Sequence, residues 1–229
     1  MKTLKSFLVL IALIALSGCQ PRITKENAFP DMYADHPKSI LVLPPINSTT
    51  AADAKEYYST TIAEPLTASG YYVYPLEVVF DILQREGMYD TETISNVAPE
   101  KFREFFGTDA VMYVKILKWD TSYYVLGGNV TVAVESEIKS AISGKRLWYY
   151  NGTVVVNTTG DDGGMTGWAG LLAKAVTTAI KSATTDYVPL AKKANEEVLQ
   201  SLPFGAYHPS YQKDQNIIII DKKETPKSK

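Results

Sequence analysis

Cysteine is nearly missing from this chain. The one that occurs, Cys19, leaves no pair for an intramolecular disulfide and no cysteine cluster for a structural metal site. Histidine is almost as scarce: His36 and His208 lie far apart in sequence, so a histidine-rich zinc site or a Ser-His-Asp triad is poorly supplied. Positive charge is not in excess either. Lys+Arg number 23 against 25 Asp+Glu, a formal net charge of −2, and nucleic-acid binding has no basic field to start from. The apolar run from Phe7 to Leu16 falls short of the roughly 20 residues that a membrane-spanning helix needs.

What is present is clearest in the first twenty residues, MKTLKSFLVLIALIALSGCQ. Lys2 and Lys5 precede the apolar run, and Leu16-Ser17-Gly18-Cys19 closes it with small residues before a thiol. This order reads as a secretory signal cut between Gly18 and Cys19 at a bacterial lipobox. A diacylglyceryl group on the Cys19 sulfur and an N-acyl chain on its new amino terminus are expected, because several acyl chains hold stably where one does not. Gln20 in place of an aspartate leans towards the outer membrane, with the domain on its periplasmic face. No other cofactor is expected.

The rest suits one domain of ordinary size. Residues 19–37 are polar and proline-punctuated and read as the lipidated cysteine and a tether; 38–205 read as the domain, and 206–229 as a tail. Ile40 to Leu43, an unbroken apolar run stopped by Pro44-Pro45, predicts a strand covered on both faces. Helices are predicted from Asp53, with Pro65 placed to kink or end the first; over 76–86; and over Pro99–Phe106, with Phe102, Phe105 and Phe106 on one side. Strands are expected at 71–74 and 109–117. From Asn129 the pattern changes to strict alternation, and Ser143-Gly144 turns it back into Leu147–Tyr150 and, past Asn151-Gly152, Val154–Val156. The fold class is therefore α/β, a mixed sheet with helical crossovers followed by an antiparallel meander. Trp168 begins a long alanine-rich helix, and Pro189 a final one.

Three segments carry a resemblance: Ser39-Ile-Leu-Val-Leu-Pro-Pro45 with the following Asn47-Ser-Thr, Gly107-Thr-Asp-Ala-Val111, and Gly205-Ala-Tyr-His-Pro209. With the lipobox they resemble the bacterial lipoprotein family of domain of unknown function 799, which includes a neisserial surface antigen. More distantly the chain is similar to the curli-secretion lipoprotein CsgG and the synthase activator LpoB. The resemblance implies a sandwich like CsgG or the amino-terminal domain of TolB, and a dimer. It carries over no catalytic residue, and a fold does not by itself give a function.

Asp161 and Asp162, in a glycine-rich loop, are the best acid/base or Ca2+ candidates, yet the spaced oxygens of a calcium loop are missing, and a solvated loop is the plainer reading. His208 is either a ligand or a packed residue that fixes the tail against the body. Ile217, Ile218, Ile219 and Ile220 form a β-prone run able to join a sheet edge, its own or a partner's. Asp161, Asp162, Trp168, Tyr207, His208 and these isoleucines are the expected partner contacts. The function expected is non-catalytic: a lipid-anchored accessory or assembly factor that binds envelope proteins, a CsgG-like lipoprotein or a second copy among them. An envelope hydrolase using Asp161 or Asp162 is one alternative. A CsgG-like pore subunit is the other, and Val154–Val156 argues against it by breaking the alternation of a membrane strand.

Overall fold

A computed structural model describes residues 23–124, 127–157 and 188–219. The chain opens with β1 (Ile23–Thr24), α1 (Lys25–Ala28) and α2 (Pro30–Asp35), then enters the sheet with β2 (Ser39–Val42) and β3 (Ile46–Asn47). Next come α3 (Ala54–Ala68), β4 (Tyr72–Val73), α4 (Leu76–Arg85), α5 (Thr91–Ser95) and α6 (Pro99–Phe106). The meander β5 (Ala110–Tyr124), β6 (Gly127–Ser140) and β7 (Arg146–Asn157) follows, and α7 (Val188–Val198), a 3-10 turn (Leu199–Ser201) and β8 (Ile218–Ile219) complete it.

The class is mixed α/β. The main sheet runs β4-β2-β5-β6-β7, with β3 also paired to β5. Strand β2 is parallel to β4 and β5, while β5, β6 and β7 are antiparallel. Strand β2 is buried throughout, and its Ile40–Val42 run is apolar because helices cover both its faces. Ile40 and Val42 join Tyr58, Ile62 and Leu66 of α3 and Ala194 and Val198 of α7; Leu41 and Leu43 join Val79, Leu83, Ile94 and Phe102 of α4, α5 and α6. The start of β5 is likewise covered on both faces, since Val111 and Tyr113 join the α4–α6 layer. Val132, Val134, Ile138 and Val154 face the α3–α7 layer, and Glu135, Glu137 and Lys139 lie on the opposite, wetter face. Among the described side chains, the apolar face that a membrane hairpin would turn to lipid, from Val132 to Ile138 and at Val154, is thus packed in the helix-covered core.

Several expectations need correction. The polar stretch expected to be tether is folded from Ile23 onwards, with Lys25 and Met32 buried, because its partners lie almost two hundred residues away and leave no local period to read. Strand β7 is not broken at Asn151-Gly152. Gly152 sits mid-strand opposite Val134, where a Cβ would come within 2.7 Å of the Tyr150 hydroxyl, so the glycine makes room for a neighbouring ring and marks no turn. Alternation survives in the valines, since Val154 is buried and Val155 exposed. A bulge at Leu147 places two successive side chains, Leu147 and Trp148, in the same core. Helix α3 continues past Pro65 to Ala68, and Phe105 of α6 is exposed while Phe102 is buried.

Candidate interaction site at the joined chain ends

The described contact candidates meet where the two chain ends join. Strand β8 pairs antiparallel with β1, Ile219 opposite Ile23 and Ile218 opposite Thr24, as a two-stranded sheet separate from the main one. The β-prone run therefore pairs within its own chain, with the amino-terminal segment as its partner. Lys25, one residue beyond β1, turns its ammonium inward, only 3 % exposed. It donates to the Leu202 carbonyl at 2.7 Å, lies 3.3 Å from Asp214 Oδ2, and sits 4.6 Å from the centre of the Phe204 ring. Asp214, 1 % exposed, also accepts from the Phe204 N–H at 2.9 Å and the Tyr33 hydroxyl at 3.1 Å. Desolvation holds the Lys25 pKa below its ordinary value, although the Asp214 charge and hydrogen bond act in the opposite sense. Burial first, and then Asp214, push the Tyr33 hydroxyl well up.

The Gly205–Pro209 segment wraps over the end of α3. The Gly205 N–H donates to the Ser69 carbonyl and the Tyr207 N–H to the Gly70 carbonyl, at 2.8 and 3.0 Å, while the Tyr71 hydroxyl donates to the Pro203 carbonyl at 2.6 Å. Gly70 has φ +89°, and a Cβ there would lie 2.4 Å from the His208 nitrogen. His208 is a packed residue. Its ring stacks on Phe204 at 3.7 Å between centres, and its Nδ1 accepts from the Ser210 N–H at 3.0 Å. Tyr207 turns its side chain outward, 67 % exposed. His36 closes α2 in the left-handed conformation and packs at a steep angle against the Tyr211 ring. Beside this clasp a groove of about 450 Å3 runs along β7, lined by Ile23, Phe29, Arg146, Trp148, Tyr149 and Ile219.

Gly18, Cys19, Asp161, Asp162, Trp168 and Ile220 lie outside the described residues. Sequence reasoning missed Lys25 and Asp214, a lysine in a polar stretch and an aspartate in a tail. The only signal available was that apolar residues, Ile23 and Phe29, flank Lys25.

The other two segments that carry the resemblance are engaged in the same structural way. Asp109 Oδ2 accepts from the Lys38 N–H at 3.0 Å and from the Ser39 N–H and hydroxyl, both at 3.2 Å, and the Ser39 hydroxyl accepts from the Asp109 N–H at 3.0 Å. This reciprocal tie fixes the starts of β2 and β5. Asn47 closes its own turn, accepting from the Thr49 N–H at 3.0 Å and donating to the Ala51 carbonyl at 2.8 Å. Among the described residues no group of three or more His, Cys, Asp or Glu side chains is placed to hold a metal ion.

Fold and clasp together define a mixed α/β domain whose first and last described strands pair with each other. More narrowly, the chain belongs to the family described as "Putative lipoprotein GNA1162-like", whose model matches residues 28–206. It is 32 % identical over 177 residues to "Putative lipoprotein NMB1124/NMB1162" of Neisseria meningitidis serogroup B (strain ATCC BAA-335 / MC58), covering 77 % of this chain and 81 % of the relative. The crystal structure of lipoprotein GNA1162 from Neisseria meningitidis superposes with a TM-score of 0.50 at 33 % identity, over 63 % of this chain and 98 % of that one. The LpoB carboxy-terminal domain from Salmonella enterica superposes at 0.34 and 15 % identity, over 57 % of this chain and 97 % of that one. The neisserial lipoprotein resemblance carried by the three segments is thereby borne out, and with it a membrane-anchored place in the envelope.

Proposed function

We propose that the mature protein is held by acyl chains on Cys19 in the outer membrane, on the periplasmic face, and works without catalysis as an accessory or assembly factor that binds envelope proteins. One observation carries the reading. The polar side chains of the three segments that carry the resemblance, Asp109, Asn47 and His208, are tied to neighbouring backbone N–H or C=O groups of their own fold. A catalytic group would instead point into a cleft. What the closing segment presents outward is an aromatic side chain, Tyr207, of the kind that anchors protein interfaces. The family's membrane-anchored character supports the same reading.

The test places a photo-cross-linking phenylalanine analogue at position 207 in cells. Adducts with one envelope protein, or with a second copy of this chain, are expected to form reproducibly and to disappear when Cys19→Ala releases the protein from the membrane. Cells that yield no adduct overturn the binding reading. Alanine at both Asp161 and Asp162 is expected to leave the cellular phenotype intact; its loss would favour an envelope hydrolase.

A further inference from the structure

The register of the terminal sheet has a geometrical consequence. Because Ile23 lies opposite Ile219 in an antiparallel pair, the chain before Ile23 and the chain after Ile219 leave from the same end of that sheet. Antiparallel neighbours sit about 5 Å apart at the Cα atoms. Cys19 lies four residues before Ile23, and Lys223 four residues after Ile219. Four residues span at most about 14 Å however they are folded. An acylated Cys19 therefore holds this end of the molecule within about 14 Å of a bilayer, and Lys222 and Lys223 start from the same place.

One feature of the described residues falls at that end, and one of the sequence follows it. Ile217 and Ile218 are 46 % and 50 % exposed, beside buried Lys25 and Asp214, so the clasp turns aliphatic surface outward where the anchor leaves. Residues 220–229 carry Lys222, Lys223, Lys227 and Lys229 against Asp221 and Glu224, an excess of positive charge in a chain whose net charge is negative. Aliphatic side chains beside a lysine cluster suit the headgroup region of an anionic bilayer.

We propose that the β1–β8 clasp is a membrane-seating surface, with Ile217 and Ile218 entering the interface of an anionic phospholipid bilayer and the lysines after Ile219 lying against its headgroups. The occupant is the bilayer that holds Cys19, and the inference rests on acylation of Cys19. The clasp end then rests on lipid, and the domain is oriented on the membrane instead of swinging on a tether.

Lipidated full-length mature protein is placed in vesicles containing phosphatidylglycerol, after its intact mass has been read for acyl chains. Acylation blocks the native thiol, so Ile218→Cys and, separately, Tyr89→Cys each carry a fluorophore alone. Tyr89 lies between α4 and α5, on the opposite side of the sheet from the clasp. A quencher borne on the lipid chains is expected to dim the label at 218 several-fold more than the label at 89. Replacing Lys222, Lys223, Lys227 and Lys229 by Gln, or the phosphatidylglycerol by phosphatidylcholine, is expected to reduce that difference at least twofold. Equal quenching at both positions, or no quenching at 218, overturns the seating surface. Quenching that ignores both charge changes overturns the role of the lysines. A mass without acyl chains overturns the anchoring reading and this inference with it, whereas an acylated protein with an unquenched 218 label overturns this inference alone.

Discussion

At the scale of single residues the clasp rests on one buried ion pair and one crowded glycine. Removing one partner of a buried pair leaves the other charge desolvated, and such changes cost about 3–5 kcal/mol. Lys25→Ala leaves the Asp214 carboxylate with the Tyr33 hydroxyl and Phe204 N–H as donors, so a loss near the lower end, about 3 kcal/mol, is expected in urea unfolding. A loss under about 1 kcal/mol would show that the pair contributes little. Gly70 gives a sharper comparison, because Gly87 shares its backbone conformation, φ +80° against +89°, with nothing within 4 Å of an added Cβ. Gly87→Ala therefore reports only the left-handed strain, about 1–2 kcal/mol. Gly70→Ala adds collision with the His208 backbone, which cannot swing aside as a side-chain tip can. It is expected to cost clearly more than Gly87→Ala and to loosen the 205–209 segment first, read as faster proteolysis there. Equal costs would mean that the segment yields freely.

At the scale of elements, the contrast is between strands of two residues and strands of twelve or more. The meander and β2 are legible in sequence because their periods, strict alternation and an unbroken apolar run, repeat over several residues. Helix α6 is legible from its punctuation, Pro99 at its start and Gly107 in the left-handed conformation after it. Strands β1 and β8 hold two residues each and have no period, and α5 is a five-residue helix marked only by the Asp90 side chain capping Thr93. Of the contact candidates, the isoleucine run was visible as β-prone, but its partner strand was not, since long-range pairing leaves no local trace. Strand β8 also has a clear dependent. The Lys25 N–H donates to the Ile217 carbonyl at 2.9 Å, so ending the chain after Asn216 removes that bond together with the β1 pairing. Amide exchange over residues 23–28 is expected to quicken at least tenfold while β2, β5 and β6 keep their protection. Unchanged exchange at 23–28 would show that the amino-terminal segment holds by itself.

At the scale of the whole molecule, burial of tyrosine sets the response to alkali. Burial is the leading cause raising the hydroxyl pKa of Tyr33, Tyr58, Tyr71, Tyr113 and Tyr150 above the ordinary value of 10.0, and these side chains come from the clasp, α3, the segment before β4, β5 and β7. Above pH 10 the unfolded chain releases these protons and the folded chain keeps them. The native state then binds more protons, so stability is full below pH 10 and falls as pH rises past it. Lys25 and Lys55 act oppositely: desolvation lowers both from 10.5, so the unfolded chain holds protons that the folded one has lost, and stability rises with pH until 10.5. Five tyrosines against two lysines decide the sign. For a fully buried hydroxyl such as that of Tyr58, each pH unit above 10 removes about 1.4 kcal/mol until the folded group titrates. The midpoint of thermal unfolding is expected to hold or rise slightly up to pH 10 and drop steeply between 10 and about 12, with the five buried tyrosines adding their tyrosinate absorbance only as the chain unfolds. Tyr71→Phe also loses the bond to Pro203, so it is expected to lower the whole curve and make its alkaline limb shallower. A midpoint that stays level from pH 10 to about 12 would contradict this account, because five tyrosines drawn from five parts of the fold cannot all ionise freely while the core that buries them stays closed.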